Sequence, residues 1–494
     1  MPEWITEKDR QYMAAVGRSS ELITRQINQL KSSPPFLSGI TAATPQNKGI
    51  KQLSESEEKQ AIKSYEAECH TKRWTKFVPA SGAASRMFAP FYDFLKLHKQ
   101  SSIAEFFNSL KRFPFYSIVY AQLMEKRKKN IDSEKEFVIA FLSVILDSQG
   151  LGYPDLPKAL IPFFTDKNGQ VNTAFEAHIL ETFQLSQHTP LTLHLTISKK
   201  LKTHFENQAK QFLNSFTFRS LPKISIEYSF QHLLTDTPYI GEDGQLIRTP
   251  EGNIAFRKGG HGALLENINR LETDFVWIKN IDNILWGAEN QPGERAMQIL
   301  GGYLLTLQTT LFSHLNTLET KKEQTELSPI IDFIHSYFNP NYQITTSSKS
   351  HYEILLDYLD RPLRVCGMIP NEGAKGGGPF WKASARGQSL QIVEGVELNS
   401  LIKEHQEALA ESTHFNPVIM VCSLTDHKGE KFSLYDFSDD HRYMVSKKIH
   451  QNKSVTILEW PGLWNGGMAE WNSVFIELPT DTFHPVKTVM DLLR

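Results

Sequence analysis

From Arg73 to the C-terminus, runs of strand length alternate with stretches of helical spacing, and several strand runs are apolar at nearly every position. "DFVWIK", "LRVCGMI" and "VIMVCSL" leave no polar face for water. Such strands must be covered on both sides, which helices do in an α/β sheet. "RWTKFVPASG", "LTLHLTIS", "KISIEYSFQ", "LQIVEGVEL", "VTILEW" and "SVFIELP" read as further strands. Helical spacing marks the stretch from Ala89 to Ser148, then "NTAFEAHILETFQL" with Asn172 or Thr173 as N-cap, and "KKLKTHFENQAKQFLNSF". The expected fold is a mixed sheet flanked by helices. A polar, helix-prone extension without strand signal precedes it (1–70). A core follows (71–360), with helical insertions near 90–150 and 290–355, and then a more strand-rich part (361–494).

The chain has 494 residues, with 53 Lys and Arg against 55 Asp and Glu, a formal charge of −2. That balance argues against a nucleic-acid partner, which calls for a basic surface, but not against a small anionic ligand. Cys69, Cys366 and Cys422 have neither zinc nor disulfide spacing and read as buried thiols. "MPEWITEKDRQY" lacks the apolar core of a secretory signal, and "FVIAFLSVIL" is too short to span a membrane. A soluble, cytoplasmic protein with no membrane partner is expected.

Six places carry candidate chemistry. In "FVPASGAASRMF", the small residues Ser81, Gly82, Ala83, Ala84 and Ser85 follow a strand, so their N–H groups could converge on an anion, with Arg86 adding charge. A ligand-free tight turn fits the same residues, and the P-loop ending is missing. In "LPKALIPF", Lys158 is pinned by Pro157 and aimed into a cleft or into solvent. In "GGHGALLENINRLETDFVWIKNIDNIL", the glycines around His261 permit close approach to a ring or phosphate, and a helix is expected over Ala263–Leu271. "NIDN" then falls at the carboxyl end of a strand, where open α/β sheets bind ligands. There Asp282 could hold Mg²⁺, and Asn280 and Asn283 could bond hydroxyl groups; an Asx-turn closing the strand is the alternative. "NEGAKGGGPFW" reads as a flexible loop carrying Lys375, and "FHPVKTVMDLL" puts Lys487 behind a proline. Trp460, Trp464 and Trp471 could stack on sugars, or pack in the core.

The order of these motifs resembles the UDP-glucose and UDP-N-acetylglucosamine pyrophosphorylase superfamily, over roughly Thr75 to Leu493. It resembles in particular a bacterial family classed as a domain of unknown function (number 4301), a divergent branch of that superfamily. The resemblance implies a glycosyltransferase-A-like, Rossmann-like fold, with 361–494 as the sugar-side part of one catalytic unit. It places the nucleotide on Ser81–Arg86, Gln231 (reading uracil), Gly260, His261 and Gly262. It places the sugar on Asn280, Lys375, Glu394 and Asn416, the phosphates on Lys158 and Lys487, and Mg²⁺ on Asp282. The chain departs from the family in a loop poorer in glycine, in the long separation of that loop from Lys158, and in "FNP" without further asparagines.

The reaction implied joins an NTP, UTP by the resemblance, to a sugar-1-phosphate, releasing pyrophosphate. The sugar phosphate brings its own anionic nucleophile, which suits a chain with no nucleophile–base pair in its motifs. A non-catalytic nucleotide-sugar-binding protein and a metal-dependent glycosyltransferase are the alternatives.

Overall fold

The structure is a computed structural model that describes residues 5–32, 35–97, 104–125, 133–186, 190–215, 224–344, 348–373, 376–384, 387–450 and 453–493. The chain divides into two compact units. The first comprises Met1–Arg73, Ser229–Trp277 and Ile299–Leu478; the second comprises Trp74–Tyr228, Ile278–Gln298 and Pro479–Arg494. Both are α/β, as expected.

In the second unit, Trp74–Pro79 pairs in parallel with Leu191–Thr196, in the register Trp74↔Leu191 to Pro79↔Thr196. A parallel pair needs a long crossover, and the chain supplies helices Ala89–Leu97, Ala104–Asn108, Tyr116–Glu125, Glu134–Leu146 and Ala174–Ser186. Phe88, Phe91, Phe106, Phe113 and Phe115 form its apolar heart, with Phe91 and Phe106 ring centroids 4.5 Å apart. The Ala174–Ser186 helix is buried nearly all round, the pattern of a core helix rather than a surface one. Thr173 caps it: its hydroxyl accepts the Glu176 N–H at 3.3 Å, and the Glu176 carboxylate accepts the Thr173 N–H at 2.6 Å.

In the first unit, Leu363–Pro370 pairs in parallel with Asn472–Glu477 and antiparallel with Ile419–Ser423 and His414–Phe415, so this sheet is mixed. Two antiparallel sheets accompany it. One joins Ile40–Ala42, Gly378–Ser384 and Gly387–Val393; the other joins Met444–His450, Lys453–Glu459, Thr237–Gly241 and Phe256–Arg257. Helices Gln291–Lys321, Ser328–Tyr337 and His351–Leu359 occupy the second expected helical stretch.

Several local expectations change. The first seventy residues contain a strand, Ile40–Ala42, whose partner lies far away at Phe380–Lys382. The Gly-rich run read as a loop goes directly into the strand Gly378–Ser384. The helix expected over Ala263–Leu271 is a 3-10 turn, His261–Leu264, followed by the short helix Leu265–Asn269. All three cysteines are buried. Among the described residues no helix is long and apolar enough to cross a membrane.

Candidate functional site

The site residues fall into two groups, one in each unit. The strand Phe275–Lys279 is buried at every position, and its apolar run stops where the polar residues of the second unit begin. Asn280 is half-buried there, and its carbonyl accepts the Asn283 N–H at 3.3 Å. That turn presents Asp282, 6% exposed. Its Oδ2 accepts from Lys158 Nζ at 2.8 Å and from Lys487 Nζ at 3.0 Å. Its Oδ1 takes a second contact from Lys487 at 3.3 Å. Burial alone would raise the Asp282 carboxyl; the charges of Lys487 and Lys158 more than offset this and hold it below its ordinary value of 3.8.

Backbone pairing explains how such distant residues meet. Lys158 N–H donates to the Gly82 carbonyl at 3.1 Å, and Ala84 N–H donates to the Leu156 carbonyl at 2.8 Å. The long sequence between the small-residue loop and Lys158 is thus closed by a two-bond bridge. The C-terminal segment is laced on in the same way. Val486 N–H donates to the Asp282 carbonyl at 2.9 Å, and Lys158 Nζ donates to the Val486 carbonyl at 2.7 Å.

Two expectations are corrected here. Asn283 offers no hydroxyl contact. It is 2% exposed, its Oδ1 accepts the His484 N–H at 2.8 Å, and its amide donates to the Thr482 carbonyl. Ala84 spends its N–H on Leu156, so the loop's anion-binding donors reduce to Ser81, Gly82, Ala83 and Ser85, which are exposed together with Arg86. Gly82 has open space where a Cβ would stand, so packing within the chain does not require glycine there.

The Mg²⁺ expected on Asp282 would meet a carboxylate that is already paired. Asp282 is the carboxylate of this group, and its oxygens already face two ammonium groups. Mg²⁺ takes carboxylate and phosphate oxygens in a tight octahedron, so the exposed Lys487 would have to leave Asp282 to admit it. Among the described residues no cluster of three or more His, Cys, Asp or Glu is arranged to hold a metal.

In the first unit, His261 Nε2 lies 3.4 Å from Glu394 Oε1, and its ring packs on Trp464 at a centroid distance of 4.3 Å. Leu463 N–H donates to His261 Nδ1 at 3.3 Å. An accepting Nδ1 places the proton of the neutral ring on Nε2, facing the carboxylate. Trp464 Nε1–H donates to the same Glu394 oxygen at 3.1 Å. Burial would raise the Glu394 carboxyl, but His261 and Trp464 hold it below its ordinary value. Trp464, read as either stacking or core, is therefore bonded to one predicted site residue, Glu394, and packed against another, His261.

The glycine turn has a packing reason of its own. Gly260 has φ +76°, and a Cβ there would stand 3.0 Å from Glu459 Cβ. A Cβ on Gly262 would collide with the Pro461 carbonyl. The close approach that these glycines permit is to the chain's own Glu459–Pro461 segment. Gln231 follows the end of the strand Ile224–Ser229 and bonds Thr235 Oγ1 at 3.4 Å and Asp236 Oδ1 at 3.3 Å. Asn416 is 4% exposed. Its amide donates to the Gly367 carbonyl at 2.9 Å and its Oδ1 accepts the Val418 N–H at 3.1 Å, so it holds a turn inside the chain instead of presenting a sugar contact. Lys375 lies outside the described residues.

A family model matches residues 6–494. The chain belongs to that family, Domain of unknown function (DUF4301). No curated protein matches this DUF4301 chain. Among solved structures, it is similar to a mutant of UDP-glucose pyrophosphorylase from Leishmania major in complex with UDP-glucose. The identity is 13%, the match covers 98% of this chain and 78% of that one, and the TM-score is 0.48. It is also similar to UDP-N-acetylglucosamine pyrophosphorylase from Trypanosoma brucei in complex with an inhibitor, at 12% identity over 99% and 79% of the chains, TM-score 0.46.

Sequence reasoning missed two buried charge networks in this DUF4301 chain. In the first unit, Arg442 Nε donates to Glu397 Oε1 at 2.7 Å, its Nη1 to Gln391 Oε1 at 2.8 Å and its Nη2 to the Ile392 carbonyl at 3.1 Å. Glu397 in turn accepts the Glu394 N–H at 2.9 Å and the Asn465 amide at 2.9 Å, steadying the loops that carry Glu394 and Trp464. In the second unit, Lys76, Glu181 and Lys279 are buried together. A lysine inside "WTKFVP" and another closing "FVWIK" were the available signals, since lysine is almost never fully buried unless paired.

Proposed function

We propose that this chain is a sugar-1-phosphate nucleotidyltransferase, forming an NDP-sugar and pyrophosphate, with UTP as the favoured nucleotide. The observation that carries the reading is the convergence of Lys158 and Lys487 on Asp282, beside the Ser81–Arg86 loop. Two ammonium groups share one carboxylate, so this group of side chains carries an excess positive charge suited to phosphates.

In the proposed reaction an anionic oxygen of the sugar-1-phosphate attacks the α-phosphorus of the NTP in line. The new P–O bond forms as the α–β bond breaks, and the electron pair leaves with pyrophosphate. No proton transfer is required, so positioning and charge neutralisation supply the catalysis. Lys158, pinned by Asp282 and the Val486 carbonyl, is a fixed cation. Lys487, more than half exposed, is free to swing from Asp282 to a phosphate oxygen. Asp282 orients both ammonium groups, and the remaining loop N–H groups add donors. Mg²⁺ enters this reading as the counter-ion that the NTP brings. In the first unit, His261, Glu394 and Trp464 are proposed to contact base or sugar.

Non-catalytic nucleotide-sugar binding is the second reading. The internal use of the Ala84 N–H favours it, because it leaves the loop fewer donors for a triphosphate. Incubation with Mg²⁺, each NTP and a panel of sugar-1-phosphates, followed by pyrophosphate release, separates the two. Nucleotide binding without turnover on any pair supports the second reading and rejects the first.

A further inference from the structure

Three charged side chains sit wholly inside the second unit, each at most 1% exposed: Lys76, Glu181 and Lys279. Lys76 belongs to the strand Trp74–Pro79, which runs into the Ser81–Arg86 loop. Lys279 ends the strand that runs into Asp282. Glu181 comes from the buried helix Ala174–Ser186 and holds both: its Oε2 lies 2.5 Å from Lys76 Nζ and its Oε1 accepts from Lys279 Nζ. The two strand ends that carry the phosphate loop and the acid turn are therefore tied to one carboxylate.

The same helix makes a second tie. His178 Nε2–H donates to the Ile281 carbonyl at 3.2 Å, next to Asp282, while the His178 carbonyl accepts from Lys76 Nζ at 3.1 Å. Asn290 steadies Glu181 from the side, its amide donating to Oε1 at 2.8 Å. Burial alone would raise the Glu181 carboxyl, but the charges of Lys279 and Lys76 hold it well below the usual carboxylate range, so it stays ionised.

Buried ion pairs add little net stability, because desolvation offsets their Coulomb attraction, and apolar side chains of similar volume often hold a fold as well. Such a triad does differ from apolar packing in geometry. A carboxylate gripped by two ammonium groups has one low-energy arrangement, whereas methyl groups tolerate sliding. We propose that Glu181, with Lys76, Lys279 and His178, is a positioning device that sets the spacing between the Ser81–Arg86 loop and the Asp282 turn. This rests on the nucleotidyltransferase reading. The four residues act through the strand ends and the Ile281 carbonyl, not by touching substrate.

The test compares four full-length proteins: wild type, Lys76→Met/Glu181→Leu/Lys279→Met, His178→Phe and His178→Gln. Pyrophosphate release from UTP and the sugar-1-phosphate that turns over gives kcat and KM, and amide hydrogen exchange reports on residues 281–283. The triple variant is expected to keep a thermal midpoint near wild type while kcat falls about 100-fold and KM for UTP moves less than about 3-fold. His178→Phe is expected to lose about 10-fold in kcat. His178→Gln should recover most of it, because its amide N–H can still reach the Ile281 carbonyl. Exchange at residues 281–283 should quicken in the triple and Phe variants only. Wild-type kcat in the triple variant, or unchanged exchange at 281–283, overturns the proposal. Wild type inactive with every NTP and sugar phosphate defeats the functional reading instead, and hydrogen exchange still decides the positioning. If the triple variant does not fold, the His178 pair decides.

Discussion

Lys487 Nζ stands 3.0 Å from Asp282 Oδ2 while more than half of the lysine side chain remains exposed. Lys158, on the same oxygen, is largely enclosed. One carboxylate therefore holds an exposed cation and an enclosed one, and the two should respond differently to substitution.

Lys487→Ala removes an exposed partner, so stability should change by less than about 1 kcal/mol. Pyrophosphate release from UTP and sugar-1-phosphate should slow about 100- to 1,000-fold, the usual loss for one charge-stabilising donor. A melting curve run beside the pyrophosphate-release assay checks both, and full activity in this variant removes Lys487 from the phosphate site.

Asp282→Asn leaves Lys158 enclosed without its counter-charge and should destabilise the fold by about 1–3 kcal/mol. The pH dependence has a definite sign. The folded Asp282 carboxyl lies below its unfolded value of 3.8, so its contribution is present above pH 3.8 and is lost as pH falls through the lower folded value. Subtracting the Asn variant's denaturation midpoints from those of wild type, between pH 2 and 6, should show a gap that closes in acid.

Glu294 runs the other way. Burial, helped by the charge of Glu181, pushes its carboxyl up to about 7 from 4.5. The folded state keeps this proton longer than the unfolded state, so stability falls as pH rises from 4.5 to about 7. Glu294→Gln should flatten that slope, by roughly 1–2 kcal/mol across the window once the group's partial exposure is discounted. Denaturation at closely spaced pH values across the window measures it.

Gly262→Ala tests whether the glycine turn is built for packing. The added methyl meets the Pro461 carbonyl, and overpacking of this kind costs about 1–3 kcal/mol. The loss should appear in the ligand-free protein. A variant as stable as wild type, changed only in nucleotide affinity, would show that the glycine serves a ligand.

Arg442→Met should cost about 3–5 kcal/mol, because it strands Glu397 in a buried position. Changing Arg442 and Glu397 together to Met and Leu should recover much of that loss, as read from thermal midpoints.

The α/β class, the buried strands and the place of "NIDN" at a strand's end were legible in the sequence. Apolar runs such as "FVWIK" report burial on both faces wherever they occur, and a lone acid at a strand's end follows from local order alone. Asn283 and Asn416 were misjudged for a matching reason. An amide that closes a turn and one that offers a hydroxyl contact have the same letter, and only their partners, Thr482 and His484 for one, Gly367 and Val418 for the other, distinguish them.

The order of residues along the chain thus determined which segments bury and which small-residue, lysine and acid motifs were worth watching, because burial and turn chemistry depend on near neighbours. Which of them meet was a tertiary decision. The bridge from Gly82 and Ala84 to Leu156 and Lys158, the lacing of Val486 onto Asp282, and the grip of Glu181 on Lys76 and Lys279 all join residues distant in sequence. A hydrogen bond or ion pair depends on distance in space, and the spacing of letters carries no record of it.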